Sequence, residues 1–260
     1  MSIHELVDLK GKVAVVTGAS RGLGATFATA LAQAGADLVI SSRHKGELAG
    51  TAQAVRTAGR QVLELEGDVA QPEQVRRLVE DTVGRYGRLD ILVNNAGAMR
   101  VNKAPEDTSP EEWRFVIDTN VNGTFYCCRE AAIQMKKQPH GGKIINLSSK
   151  SGFTVGRHFH GGSYDVSKAA VVMLTKALAV EWAPYNINVN AIAPGYYDTQ
   201  PNRDFFVDNP EMYRKVIDLV PLKRLGNIEE LSGLVVCLAS DISNYMTGTT
   251  ILIDGGYNIW

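Results

Sequence analysis

Material for disulfide bonds is nearly absent: 260 residues hold three cysteines, two of them neighbours at Cys127 and Cys128. Adjacent cysteines pair only with strain, so no disulfide framework is expected, and their spacing does not match a metal site. No apolar run reaches the roughly 18 residues of a spanning helix. The opening MSIHELVDLKGK alternates charge where a signal peptide is apolar, so the expected location is the cytoplasm. A surplus of one charge is lacking as well. Lys and Arg total 27 against 28 Asp and Glu, a formal net charge of −1. That balance offers no footprint for nucleic acid or an anionic membrane. Repeats, low-complexity tracts and linker-like breaks are also missing. What is there is core: 45% hydrophobic against 21% charged residues argues against disorder. A chain of this length buries roughly 73% of its unfolded surface, and a single domain over 1–260 is expected.

Apolar β-branched runs alternate with helical patterns almost to the end of the chain. Strands are expected at 13–17, 37–41, 61–66, 91–94, 143–147, 188–192 and 249–253. Amphipathic helices are expected at 25–34, 72–86, 110–136, 163–182 and 228–239. Pro72 and Pro110 fall where a helix begins, a position that suits their fixed φ and missing N–H. Strand–helix alternation with near-continuous apolar strands predicts an α/β fold: a doubly wound, seven-stranded parallel sheet with helices on both faces. The stretch 194–221 carries no strand pattern and is rich in Tyr, Phe, Asn and Asp. It follows the carboxyl end of a strand, the edge where such sheets bind ligands, so a substrate lid is expected there.

TGASRGLG over 17–24 joins the first strand to the first helix. Gly18 permits a tight turn, Gly22 lets backbone amides approach a pyrophosphate, and Gly24 allows close helix–strand packing. The helix N-terminus then stabilises the phosphate charge. Further on, Tyr164 and Lys168 stand at i and i+4 near the start of a helix, which stacks them on one face. A phenol titrates too high for efficient proton transfer at neutral pH. An ammonium about 4 Å away favours the phenolate by up to roughly 4 kcal/mol at an effective dielectric near 20.

These motifs, in this order, resemble the short-chain dehydrogenase/reductase family over essentially the whole chain. The glycine spacing TGxxxGxG is the family's, as are Asn94-Asn95-Ala96-Gly97 after the fourth strand and YxxxK at Tyr164–Lys168. The resemblance implies a Rossmann fold and an NAD(P)-dependent oxidoreductase that transfers a hydride between nicotinamide and a carbonyl or secondary alcohol. It assigns Tyr164 as proton donor or acceptor, Lys168 as holder of the nicotinamide ribose, and Ser149 as hydrogen-bond partner of the substrate oxygen. Asn120 would position water in a proton relay. Spacing to Tyr164 leaves Ser151 as a competitor to Ser149, with Ser148 and Asn122 as further decoys. Cofactor contacts are expected from Gly18, Ser20, Arg21, Gly22, Leu23, Gly24, Asp68, Val69, Asn95, Ala96, Gly97, Pro194, Gly195 and Thr199, besides Tyr164 and Lys168. The loop 156–162 leads into Tyr164, so Arg157, His158 and His160, with Tyr196, are candidate substrate contacts. His158 and His160 lack a third ligand at suitable spacing, and no metal is expected.

Sugars, polyols and sugar acids are the expected substrates, because the family's enzymes for them often carry C-terminal halves like 181–195 here. The 3-oxoacyl reductases share every motif and remain the alternative. A non-catalytic nucleotide-binding regulator should have lost Tyr164, Lys168 or Ser149, and none is missing. Cofactor choice turns on the end of the second strand. There Ser42 and Arg43 stand where an NAD-binding fold places a ribose-binding acid, and Arg21 lies within reach. Arginine suits a 2′-phosphate, so NADP is preferred and NAD possible. The apolar finish Tyr257-Asn-Ile-Trp260, with the family's habits, predicts a homotetramer.

Overall fold

Val-Ala-Val-Val-Thr along β1 (Val13–Thr17) is buried at every position, the signature of a strand covered on both faces. The computed structural model describes residues 2–99, 101–156 and 159–259. Arg157, His158 and Trp260 lie outside the described residues. β1 is joined by β2 (Asp37–Ser42), β3 (Val62–Glu66), β4 (Ile91–Asn94), β5 (Gly142–Leu147), β6 (Ile187–Pro194) and β7 (Thr250–Ile253). All pair parallel, in the order β3-β2-β1-β4-β5-β6-β7. The order reverses between β1 and β4, and their carboxyl ends flank the crevice where ligands bind in such sheets.

Ten helices are described: α1 (Ile3–Leu6), α2 (Gly22–Gln33), α3 (Ala49–Thr57), α4 (Pro72–Tyr86), α5 (Pro110–Ile117), α6 (Gly123–Met135), α7 (Gly162–Trp182), α8 (Gln200–Asp208), α9 (Pro210–Asp218) and α10 (Ser232–Ala239). Alternate strand residues face opposite layers. Ala14, Val16, Leu38 and Ile40 pack with Phe27 and Leu31 of α2, Val55 of α3 and Val235 of α10. Val13, Val15, Val39 and Leu92 pack with Val75 and Leu78 of α4, Cys127 and Cys128 of α6, and Leu178 of α7. Both cysteines are free, and burial pushes their thiols up, Cys127 to about 12, so neither serves as a nucleophile at neutral pH.

Two features depart from the pattern in the sequence. The expected helix over 110–136 is interrupted by one π-helical turn, Asp118–Asn122. Ser109 and Glu112 start α5 with a reciprocal capping box, so the interruption is not weak initiation. It sits at Asn120, whose side chain bonds to another segment, and such single π turns concentrate at functional sites. The stretch 194–221 folds mainly into α8 and α9, with Pro201 at the second position of α8 and Pro210 at the first of α9.

Candidate active site

The glycine turn is shaped by two left-handed residues, Gly18 (φ 63°) and Gly22 (φ 56°). A Cβ on Gly18 would lie 2.7 Å from the Ala96 Cα, and one on Gly24 2.3 Å from the Gly18 carbonyl oxygen. The turn is therefore pressed onto the segment after β4. Asn95 locks it there, its Nδ2 donating to the carbonyls of Thr17 (3.0 Å) and Gly18 (2.8 Å). Thr17 Oγ1 accepts from the Asn95 and Ala96 amides. Asn94 serves the sheet instead, donating to Asn146 Oδ1. Around Gly22 a Cβ would meet nothing within 4 Å. The N-terminus of α2 follows, with no side-chain cap on its amides. Open space, a helix start without a side-chain cap and the positive end of a twelve-residue helix together suit an anionic diphosphate.

Beside this turn lies a cleft of about 500 Å³. Arg21, Gly22, Leu23, Asn95, Gly97, Ser149, Tyr164, Lys168, Pro194, Gly195, Tyr196 and Thr199 line it, gathered from the carboxyl ends of β1, β4, β5 and β6. Ser149 stands just past β5, its Oγ accepting from the Ser151 amide at 3.2 Å. Ser148 Oγ is committed to the Lys168 carbonyl. Lys168 is only 5% exposed. Its Nζ donates to the Leu147 carbonyl at 2.8 Å and lies 5.6 Å from the centre of the Tyr164 ring. Burial pushes this ammonium down to about 8, which leaves it charged at neutral pH. Gly97 leaves room for it, since a Cβ there would lie 3.7 Å from Lys168 Nζ.

Asn120 braces the site from below. Its Oδ1 accepts from the Ala98 amide at 2.7 Å, and its Nδ2 donates to the Ala98 carbonyl and to Ser167 Oγ. Ser167 Oγ in turn donates to the Tyr164 carbonyl. With its side chain so committed, Asn120 ties the end of β4 to α7. The Asn122 side chain instead donates to Asp118 Oδ1, four residues earlier on the same helical stretch.

Other expected contacts sit around the cleft rather than in its wall. Asp68 holds a turn, accepting from the Ala70 amide, and Val69 packs where a Cβ on Gly123 would strike it at 2.8 Å. Ser20 is partly buried in the glycine turn. Ser42 ends β2 and Arg43 follows, exposed; Ser42 Oγ donates to the His44 carbonyl at 2.7 Å. In the loop over 156–162, His160 is exposed, its amide donating to Asn102 Oδ1 at 3.0 Å, and it does not line the cleft. Phe159 takes the inward position, its ring 6.4 Å from Tyr196 and 6.0 Å from Phe205. Met99, Lys150, Phe205 and Phe206 also line the cleft and were not singled out from the sequence. The aromatic richness of 194–221 was the signal for two of them. Among the described residues no cluster of potential metal ligands exists and no helix is long and apolar enough to cross a membrane.

A family model described as enoyl-(acyl carrier protein) reductase matches residues 18–258. The chain is 41% identical to a 2-dehydro-3-deoxy-D-gluconate 5-dehydrogenase of Dickeya dadantii over 250 residues, 96% of either chain. It is 41% identical to 3beta-hydroxysteroid dehydrogenase 1 of Eggerthella lenta, covering 97% of this chain and 96% of the relative. Among solved structures it superposes on a gluconate 5-dehydrogenase of Burkholderia cenocepacia, in complex with NADP and tartrate, with a TM-score of 0.92 and 34% identity over the whole of both chains. The glycine turn, the parallel sheet and the Tyr164–Lys168 pair are thus found in a chain that belongs to the short-chain dehydrogenase/reductase family.

Proposed function

We propose that this protein is an oxidoreductase acting on a secondary alcohol or carbonyl of a sugar, polyol or sugar acid with a nicotinamide cofactor. The observation that carries the reading is the convergence of Tyr164, Lys168 and Ser149 on one cleft beside an anion-ready glycine turn. The activities named for the Dickeya and Burkholderia relatives support the substrate class. The cofactor, when bound, supplies or accepts the hydride. Arg21, Gly22 and Leu23 would hold its diphosphate at the start of α2, with Asn95, Gly97, Pro194, Gly195 and Thr199 along the remainder. In reduction, the Tyr164 hydroxyl gives its proton to the developing alkoxide while Ser149 Oγ donates a hydrogen bond to the same oxygen. The Lys168 ammonium favours the phenolate left behind, and oxidation runs the same steps in reverse. The test is turnover over a panel of sugar acids, polyols, 3-oxoacyl thioesters and hydroxysteroids with each cofactor. No turnover of any carbohydrate would overturn the reading. Met99, Phe159, Phe205 and Phe206 in the wall favour one second reading, a bulkier apolar alcohol of the kind in the Eggerthella relative's name.

NADP is the proposed preference. Asp37, the nearest acid of β2, starts that strand and is bound there by Arg60 at 2.8 Å and by the Gln61 amide, far from the crevice. Ser42 spends its hydrogen on His44, so Arg21 and Arg43 are the groups left for a 2′-phosphate. In Ser42→Asp the carboxylate has no proton for the His44 carbonyl and turns outward, where it accepts from a ribose hydroxyl and repels phosphate. The expected result is a shift of the NADP/NAD ratio of kcat/KM towards NAD, on the order of tenfold or more. A wild-type ratio favouring NAD, or no shift, contradicts this pocket.

A homotetramer is proposed as well. Val166, Met173 and Val180, spaced by seven along α7, are exposed, and Trp113, Phe115, Phe125 and Ile133 are exposed on α5 and α6. Large apolar patches of this kind mark interfaces. Light scattering at micromolar concentration should give a tetramer's mass, and a monomer would refute the proposal.

A further inference from the structure

Tyr164 and Lys168 share one face of α7, yet they are tethered to different parts of the fold. Lys168 is held to the β5 side twice. Its Nζ donates to the Leu147 carbonyl at 2.8 Å, and its own carbonyl accepts from Ser148 Oγ at 2.9 Å. The turn that carries Tyr164 is held from the β4 side. Fully buried Ser167 donates from its Oγ to the Tyr164 carbonyl at 2.7 Å, and the same oxygen accepts from Asn120 Nδ2 at 3.0 Å. Asn120 is fixed in turn by the Ala98 amide and carbonyl, at 2.7 and 3.2 Å, on the segment after β4. Gly161 caps α7 and Gly162 starts it, and neither has a side chain to steady the turn.

A serine inside a helix commonly bonds the carbonyl three or four residues back, and that bond alone is local. This one also receives a bond from the π-helical turn, a separate element. The link bears on chemistry because the Lys168 ammonium favours the phenolate by an attraction that weakens with distance. Its Nζ lies 5.6 Å from the centre of the Tyr164 ring. With Lys168 fixed from β5, that separation depends on a turn fixed through Ser167. We propose that Ser167 is a positioning residue: by joining the Tyr164 carbonyl to Asn120, its hydroxyl sets the place of the phenol relative to the Lys168 ammonium and the substrate oxygen. The inference rests on Tyr164 as the proton donor of the proposed reaction, and adds a residue outside the cleft wall.

The test compares wild type, Ser167→Ala, Ser167→Thr, Asn120→Ala and the double variant Ser167→Ala with Asn120→Ala. In Ser167→Ala kcat should fall about tenfold or more with KM within a few-fold, since a misplacement of about 1 Å can cost up to about 10²-fold. The phenol limb of its pH profile should move up, because the phenol then lies on average further from the ammonium. A loss of stability alone moves neither. If the two residues act as one unit, the double variant is no slower than Asn120→Ala. Ser167→Thr keeps a hydroxyl that can bond the same carbonyl and should hold kcat near wild type; it decides the matter where Ser167→Ala does not fold. A Ser167→Ala kcat within about twofold of wild type, multiplicative losses in the double variant, or a Ser167→Thr kcat below about a tenth of wild type would make Ser167 a packing residue and overturn the proposal. Should wild type turn over no member of the substrate panel, the proposed function fails separately, and the Tyr164 phenol is titrated directly, by ultraviolet difference against matching Tyr164→Phe proteins. A midpoint raised by Ser167→Ala supports the proposal, and an unchanged one overturns it.

Discussion

Tyr164→Phe should lower kcat by on the order of 10²–10⁴ while leaving cofactor affinity within a few-fold of wild type. The substitution removes only the hydroxyl, so packing at the start of α7 is kept and the Ser167 bond to the Tyr164 carbonyl survives. What is lost is the proton that neutralises the alkoxide, a barrier rise of about 3–5 kcal/mol. Ser149 cannot replace it: an aliphatic hydroxyl is a far weaker acid than a phenol and only stabilises the oxygen by a hydrogen bond, whereas Tyr164 has Lys168 Nζ 5.6 Å from its ring centre. Steady-state kinetics and a fluorescence titration with the cofactor separate the two effects. A mutant keeping more than about a tenth of the wild-type kcat would contradict the assigned mechanism.

Lys168→Met is expected to abolish turnover, weaken cofactor binding and alter stability in a pH-dependent way. Burial lowers the Lys168 ammonium from 10.5 to about 8, so the folded state releases a proton that the unfolded chain still holds between those values. Where the unfolded state binds more protons, stability rises with pH. Lys168 therefore costs most below pH 8, where it is charged in a buried site, and that cost is relieved as pH climbs towards 10.5. Methionine has no such cost. The stability of Lys168→Met relative to wild type should be greatest near neutrality and shrink by about 3 kcal/mol across that window. Denaturant melts at pH 7 and pH 10 check the sign. A relative stability that grows with pH would mean the lysine is not desolvated in the folded protein.

Much of the site was legible before any coordinates. The seven strands fall within a residue or two of their expected ranges, because β-branched runs bounded by turn residues leave few alternatives. Gly18, Gly22 and Gly24 could be read because each solves a backbone problem that no other residue solves there. The helix α3 was missed: Ala-Gly-Thr-Ala-Gln-Ala-Val-Arg-Thr has a weak apolar stripe, and its place is set by Ala52 and Val55 packing against the sheet layer. In the loop before Tyr164 it is Phe159 that lines the cleft, near Tyr196 and Phe205, while the His160 amide donates to Asn102 Oδ1.

By itself the sequence determined the layering, the parallel sheet, the glycine turn and the Tyr164–Lys168 pair, since each depends on residues close together in the chain and on strict local geometry. The tertiary structure decided everything that depends on convergence. It committed Ser148 to the Lys168 carbonyl, and it turned Asn120 into a brace through a π-helical turn, with both amide hydrogens and the oxygen engaged. It also brought Tyr196 and Tyr257 around Lys150, from positions 46 and 107 residues further along the chain. Local propensity carries no information about such meetings. A cation is placed among aromatic rings only when distant elements pack, and which side chain faces the substrate is settled by that packing.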